Sequence, residues 1–380
     1  MRGMELTRRH WMQAAAAMAV PPVLRGAEAP ASKVAVARCR SYGDEMRASL
    51  ETMFDQLGGL GSLVKGRTVA VKINLTGGPA ERMQRVRCED AQYTHPAVVG
   101  QTVSLLDKAG AKRIRILEGC FACADPMEEF LLAAGWDPSR LLSAGRDVEM
   151  ENTNIAGRWK GYAVRKTPKG GHIFPAILFN QAYTESDVVV SIAKMKEHAT
   201  AGITLAMKNM FGATPISIYG DQAGADEPNE EPRGGRGTVM HYGRRQPSKI
   251  APPENDPKSV RNDKYRIPRI VADTVAALPV HLSIVEGIAT MAGGEGPWIR
   301  GVRPCAPGLL VAGLNPVCTD AVSAAVMGFD PMADRGTAPF EQCDSTLRLA
   351  EFLGVGTRDL KRIEVLGAPI RDAVFKFRNA

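Results

Sequence analysis

Lys194, Lys196 and His198 follow directly on an apolar run, residues 188–193, and Lys208 and Asn209 stand one short stretch further on. Two ammonium groups and an imidazole so close together repel one another unless something anionic or metallic sits among them. A crowded, partly buried lysine loses basicity and can handle a proton near neutral pH. An imidazole in that company can ligate a metal or move a proton. Lys194, Lys196 and His198 are therefore candidate catalytic groups. His95 is a fourth, because its neighbours Thr94 and Pro96 account for the start of a helix but not for a histidine. Lys194 and Lys196 are expected on opposite faces of the strand end, so that at most one shares a pocket with His198.

A second set could bind rather than react. Lys72 and Asn74 end another apolar run, residues 68–73, and an asparagine there offers both a donor and an acceptor to a ligand. Lys208 and Asn209 close a helical stretch, where a lysine also serves the last carbonyls. Gly294 and Gly296 lie in a glycine-rich turn whose backbone N–H groups can approach an anion. Its spacing is neither a phosphate-binding loop nor a dinucleotide fingerprint. Metal ligation would fall to His198, with Cys120, Cys123 and Asp320 as further donors. Asp320 is also placed to open and cap a helix over residues 321–327. Cys120-Phe121-Ala122-Cys123 is a lone C-x-x-C: a redox pair, half a metal site, or structural thiols. Seven cysteines without cluster-type spacing do not hold an iron–sulfur centre by themselves. Neither a Gly-x-Ser-x-Gly elbow nor a His-Glu-x-x-His helix occurs, which excludes those hydrolase classes.

These residues need elements to carry them. Strand-like runs (33–38, 68–73, 114–117, 187–193, 281–285, 308–312 and 363–366) alternate with helix-like runs (44–57, from 96, 126–134, 200–210 and 320–327). Such alternation predicts an α/β fold, a mainly parallel sheet flanked by helices. Ligands then bind beyond the carboxyl ends of the strands. Two lobes are expected, residues 30–185 and 186–380. Residues 144–183 are strand-rich, as in an antiparallel flap. Residues 213–265 form a long irregular insertion, either disordered or a lid that brings His241, Tyr242 and Arg244 over the site.

The first 29 residues read as an address. Arg8-Arg9 precede an apolar stretch, residues 14–24, and then Ala27-Glu28-Ala29, the order of a twin-arginine export signal. That stretch is shorter than the roughly 20 residues a membrane span needs. The expectation is a periplasmic or otherwise exported protein that meets the twin-arginine translocase. Removing residues 1–29 lowers the formal charge from +7 to +5. A modest basic excess suits an anionic small molecule. No basic stripe interleaved with aromatics points to nucleic acid.

The order of short motifs resembles the domain-of-unknown-function family 362. They are Val71-Lys72-Ile73-Asn74-Leu75, Thr94-His95-Pro96, Asp187 through Lys196-Glu197-His198, and Lys208-Asn209-Met210-Phe211-Gly212. Ile284-Val285-Glu286-Gly287, Gly294-Glu295-Gly296-Pro297, Asp320-Ala321-Val322 and Met327-Gly328-Phe329 continue the series, which covers about residues 68–367. Members usually show a proline at Ile73 and an aspartate at Glu286. The turn at residues 293–297 is longer by about one residue, which weighs against a carboxylate role at Glu295. Many relatives carry a ferredoxin-like segment that this chain lacks, so a redox partner would be a separate ferredoxin-like protein. The resemblance implies a fold and a site, not a reaction. The Lys/His site also looks like that of lactate racemase, which holds a nickel-pincer cofactor with lysine and histidine. The expectation is thus an exported enzyme binding an anionic small molecule with a transition metal or metal-containing cofactor. Its rivals are a redox accessory using Cys120 and Cys123, and a periplasmic ligand-binding protein.

Overall fold

Val, Ile and Ala fill the strands, as buried parallel sheets require. The computed structural model describes residues 28–83, 85–159 and 161–379, so the expected leader lies outside the described residues apart from Glu28 and Ala29. The strands are β1 (Val34–Arg38), β2 (Thr68–Lys72), β3 (Arg113–Glu118), β4 (Val148–Asn152), β5 (Tyr162–Lys166), β6 (Ala176–Asn180) and β7 (Val188–Lys194). They continue with β8 (Lys196–His198), β9 (Gly202–Thr204), β10 (Leu282–Gly287), β11 (Thr290–Ala292), β12 (Arg303–Cys305), β13 (Leu309–Gly313) and β14 (Val365–Gly367). The main sheet runs β14-β1-β13-β10-β7-β2-β3-β4. Every pairing in it is parallel except the two made by β13. The fold is α/β, as expected. Strands from both sides of the expected 185/186 division enter this one sheet.

Helices α1 (Asp44–Gln56) and α2 (Pro96–Lys108) cover one face, packing on Val69, Val71, Val190 and Ile192. The other face, with Ala70 and Val189, carries α3 (Ala206–Met210), α4 (Asp263–Ala277) and α5 (Pro316–Val326). From β2 the chain steps outward to β3 and β4, then returns to the far side of β2 as β7 and goes on to β10. The strand order therefore reverses between β2 and β7, which is where open α/β sheets form their ligand crevice.

Three local expectations are corrected. Residues 148–152 join the main sheet as its parallel edge, β4, and only β5 and β6 form an antiparallel pair. The run after β7 is not helical from residue 200: β8 and β9 make a tight hairpin first, and the helix is the short α3. The helix near Asp320 starts at Pro316 and is capped by Asn315, whose side chain accepts from the N–H groups of Val317 and Cys318. The insertion is folded against the body. The buried Arg266 of α4 grips Glu254 with two hydrogen bonds of 2.8 and 3.2 Å, and Arg261 adds a third at 2.6 Å. Among the described residues no helix is long and apolar enough to cross a membrane.

Candidate functional site

Lys72 leaves β2 on the face of α3 and is almost wholly buried. Its ammonium lies 2.7 Å from Glu118 Oε1, donates to Ile73 O at 2.7 Å and reaches Asn209 Oδ1 at 3.1 Å. Glu118 in turn accepts from the backbone N–H groups of Leu75 and Gly119. Burial pulls Lys72 down and Glu118 up, towards neutrality, against their mutual attraction. Asn209 fastens this pair to the next strand, donating to Lys72 O, Ser191 Oγ and Ile192 O. A Cβ on Gly212 would stand 3.0 Å from both Lys72 Nζ and Glu118 Oε1, a contact tight enough that the pair would have to shift to admit it. Thr94 stitches the crevice: its Oγ1 accepts from Asn74 N–H and donates to Ile192 O.

His198 comes in from the hairpin, at the end of β8. Its Nδ1 accepts from Thr200 N–H at 3.1 Å. A backbone N–H can only donate, so a neutral His198 carries its proton on Nε2, which has no partner among the described residues. Burial pushes this imidazole down to about 3, keeping it neutral. Glu295 stands 3.8 Å from Nδ1 and accepts from Ala199 N–H at 2.9 Å and Trp298 Nε1 at 3.3 Å. Burial alone would raise the Glu295 carboxyl. His198, these donors and its own backbone N–H instead bring it to about 2.

These groups line one cavity of about 740 Å³ at the carboxyl edge, within the usual range for small-molecule sites. Lys208 also faces it. Its ammonium lies 4.4 Å above the Phe211 ring and has no hydrogen-bond or ion-pair partner among the described residues. Burial, helped by Arg236 and Lys72 and opposed by Glu295, lowers it to about 8. Asn74 lines the wall with a buried side-chain oxygen that no group among the described residues satisfies. The insertion supplies Arg236 and His241. Arg236 is held by Asn154, Gly212 and Thr214, and His241 is held neutral because burial lowers it to about 4. Four cations, Lys72, Lys208, Arg236 and Lys264, thus face four carboxylates, Glu81, Glu118, Asp263 and Glu295, and Lys208 is left without an ion pair among the described residues. The arrangement can hold an organic anion against Lys208 and donate a hydrogen bond to it from His198.

Several expected residues lie elsewhere. Lys194 is buried on the α1/α2 face, bonded to Glu286 Oε2 and Glu89 O at 2.7 Å each. Lys196 donates to Gln92 O at 2.8 Å and Glu295 O at 3.0 Å. Both lysines therefore reach the same loop. Residues two apart on a strand share a face, so the expected division between them is wrong. Neither lines the cavity. His95 caps α2, accepting from Ala97 N–H, and stacks on Tyr42 with ring centres 3.6 Å apart.

Asp320 caps α3 rather than its own helix, accepting from Ala206 and Met207 N–H at 2.8 and 2.9 Å. Burial lifts it to about 7 against those two donors. Burial also raises the thiols of Cys120 and Cys123, which disfavours the thiolates that metals and redox chemistry need. Among the described residues no three His, Cys, Asp or Glu side chains are grouped to hold a metal. His198, Cys120, Cys123 and Asp320 do not form one centre, and the Nε2–H tautomer of His198 disfavours a metal bond there. Gly294 lines a neighbouring cavity of about 530 Å³ that shares His198 with the first. Gly296 makes room for the Trp298 ring.

Glu118 and Arg236 were not expected. Glu118 carries the same signal as Lys72, a charge closing an apolar strand. Arg236 sits in aperiodic sequence that gives no signal.

Comparison with known proteins adds a lineage. The chain is 26% identical over 300 residues to a thylakoid-associated protein of a Synechocystis strain, covering 78% of this chain and 75% of that protein. A solved protein from Thermotoga maritima is similar over 71% of this chain and 56% of its own, at 15% identity and a TM-score of 0.36. The lactate racemase apoprotein of Thermoanaerobacterium thermosaccharolyticum is similar over 73% of this chain and 58% of its own, at 11% identity and a TM-score of 0.35. The chain spans somewhat over half the length of either solved structure. The model of one family matches residues 69–325, most of the sheet and all the residues that line the cavity except Gln342. By that match the chain belongs to the family described as domain of unknown function, DUF362.

Proposed function

We propose that this protein is an exported enzyme that binds an organic anion and moves a proton on it, without a metal held by its own side chains. One observation carries the reading: Lys208 faces a cavity of about 740 Å³ with an ammonium that no group among the described residues pairs. Lys208 is half-buried, and a partly desolvated cation without a partner carries a cost that an incoming anion lowers. Lys208 is protonated as it pairs the anion, and with its ammonium lowered to about 8 it can hand that proton to the ligand more readily than an ordinary lysine. His198 would donate from Nε2 to the anion or to an adjacent oxygen, while the Thr200 N–H fixes the ring through Nδ1. The orphaned oxygen of Asn74 suits a hydroxyl on the same molecule. Lys72, Glu118 and Asn209 brace the floor. Lys194, Lys196 and His95 position the loops around it. A pincer-type cofactor gains no support from this donor set.

Calorimetric titration with benzoate tests the reading. Binding is expected for the wild-type protein, with a loss of about tenfold or more in Lys208→Met, the scale of one charge-assisted contact. Unchanged affinity in that variant, or no binding of benzoate by the wild type, would sink it.

A further inference from the structure

Three of the large apolar side chains that remain exposed ring the mouth of the same cavity: Trp298 at 43%, Phe121 at 42% and Tyr242 at 36%. They come from three separate segments, the turn after β3, the insertion, and the excursion between β11 and β12. Exposed apolar surface gathered at one place marks a contact site.

Trp298 is held in place as well as exposed. Its indole N–H donates to Glu295 Oε1. Its ring lies across Gly77 and Gly296, and a Cβ at either position would overlap it. Gly77 adopts φ +83, so both its backbone and the space beside it favour glycine. Glu295 thereby touches both the aromatic platform and, 3.8 Å away, the imidazole of His198. The Arg244 guanidinium covers one neighbour of this rim, lying 4.8 Å from the Tyr242 ring centre.

From this geometry we infer that the anion is an aromatic or otherwise planar conjugated acid, its ring stacked on Trp298 and its charge directed to Lys208 and His198. The inference rests on the anion-binding reading above and adds the shape of the ligand to it. A rigid indole face loses little freedom when a flat ring settles on it, and such pairs add to affinity beyond simple burial. A saturated ring of the same charge and similar size gains the burial without the stacking.

Calorimetric titration with benzoate and with cyclohexanecarboxylate separates the two. The expected result is that benzoate binds about three- to tenfold more tightly, the range aromatic pairing provides. The ratio should persist in Trp298→Phe and fall to near one in Trp298→Leu, with loss of tryptophan quenching. Equal affinities in the wild type, both weakened by Lys208→Met, would overturn the aromatic inference and leave the anion site standing. A preference that survives Trp298→Leu would overturn it too. Failure of both carboxylates to bind would remove the anion site, and the inference with it.

Discussion

Lys208 and Lys194 show how little a residue type says before its partners are known. Lys208 holds its proton less firmly than usual because burial and two neighbouring cations outweigh Glu295. It is half protonated near pH 8, nearly fully charged a pH unit or more below and increasingly neutral above, so anion binding should weaken as pH rises through that value. The limit is about one decade per pH unit, the slope of one linked proton. Lys208→Arg should hold the affinity flat across the same window, and a titration series from pH 6 to about 10 checks both. An identical decline in the arginine variant would show that another group titrates. Lys194 is the opposite case, a buried cation already matched by Glu286. Lys194→Met leaves that carboxylate unpaired and should cost about 3–5 kcal/mol of unfolding free energy. Adding Glu286→Gln should restore part of it, because the Tyr42 hydroxyl still has an oxygen to bond at 2.6 Å. Denaturant melts of the two variants decide the point. The sequence marked both lysines as special, but only Lys194 meets a paired carboxylate. Sequence alone could not show which face each one leaves by. Lys72 pairs in register with Ser191, and Lys194 lies three positions further on, hence on the other face.

The site is carried by a hairpin and one short helix rather than by the long elements. Helix α3 has five residues, too few to be stable by itself, and it is pinned by the carboxylate of Asp320 from the neighbouring α5. Asp320→Ala should cost about 1–2 kcal/mol, the usual value of a lost cap. It should also reduce benzoate affinity, because Lys208 and Asn209 lose their footing. Retained affinity in a destabilised variant would mean that α3 is held by packing alone. The β8–β9 hairpin depends on Gly202, which takes φ +76 opposite His198 and packs against Phe340 where a Cβ would collide. The strand before it was legible as an apolar run. The hairpin was not, because Ala201 to Leu205 has no turn signature stronger than one glycine and suits a helix equally well. Thr94-His95-Pro96 was legible only in its plain sense, a helix start, since the imidazole itself caps α2.

At the scale of the whole molecule, alternating strands and helices correctly foretold a mainly parallel sheet flanked by helices. Assembly of the cavity depends on long-range order that periodicity does not contain: β7 returning beside β2, and the insertion laid over the edge. Residues 213–265 look structureless because polar and glycine-rich segments can be held by buried ion pairs instead of an apolar stripe. Glu254 is the anchor there, and Glu254→Ala would strand the buried Arg266. The expected outcome is a loss of about 3–5 kcal/mol and faster hydrogen exchange across residues 213–265. Protection confined to wild-type levels in that variant would contradict the anchoring role. The single reversed strand has a further consequence. Because β13 runs back beside β10, residues 288–308 form one long hairpin connection between neighbours, with the β11/β12 pair at its base and Glu295 and Trp298 at its far end. A designer could therefore exchange that arm for one of another length or chemistry without rethreading the sheet. Ligand choice and architecture are separable in this chain.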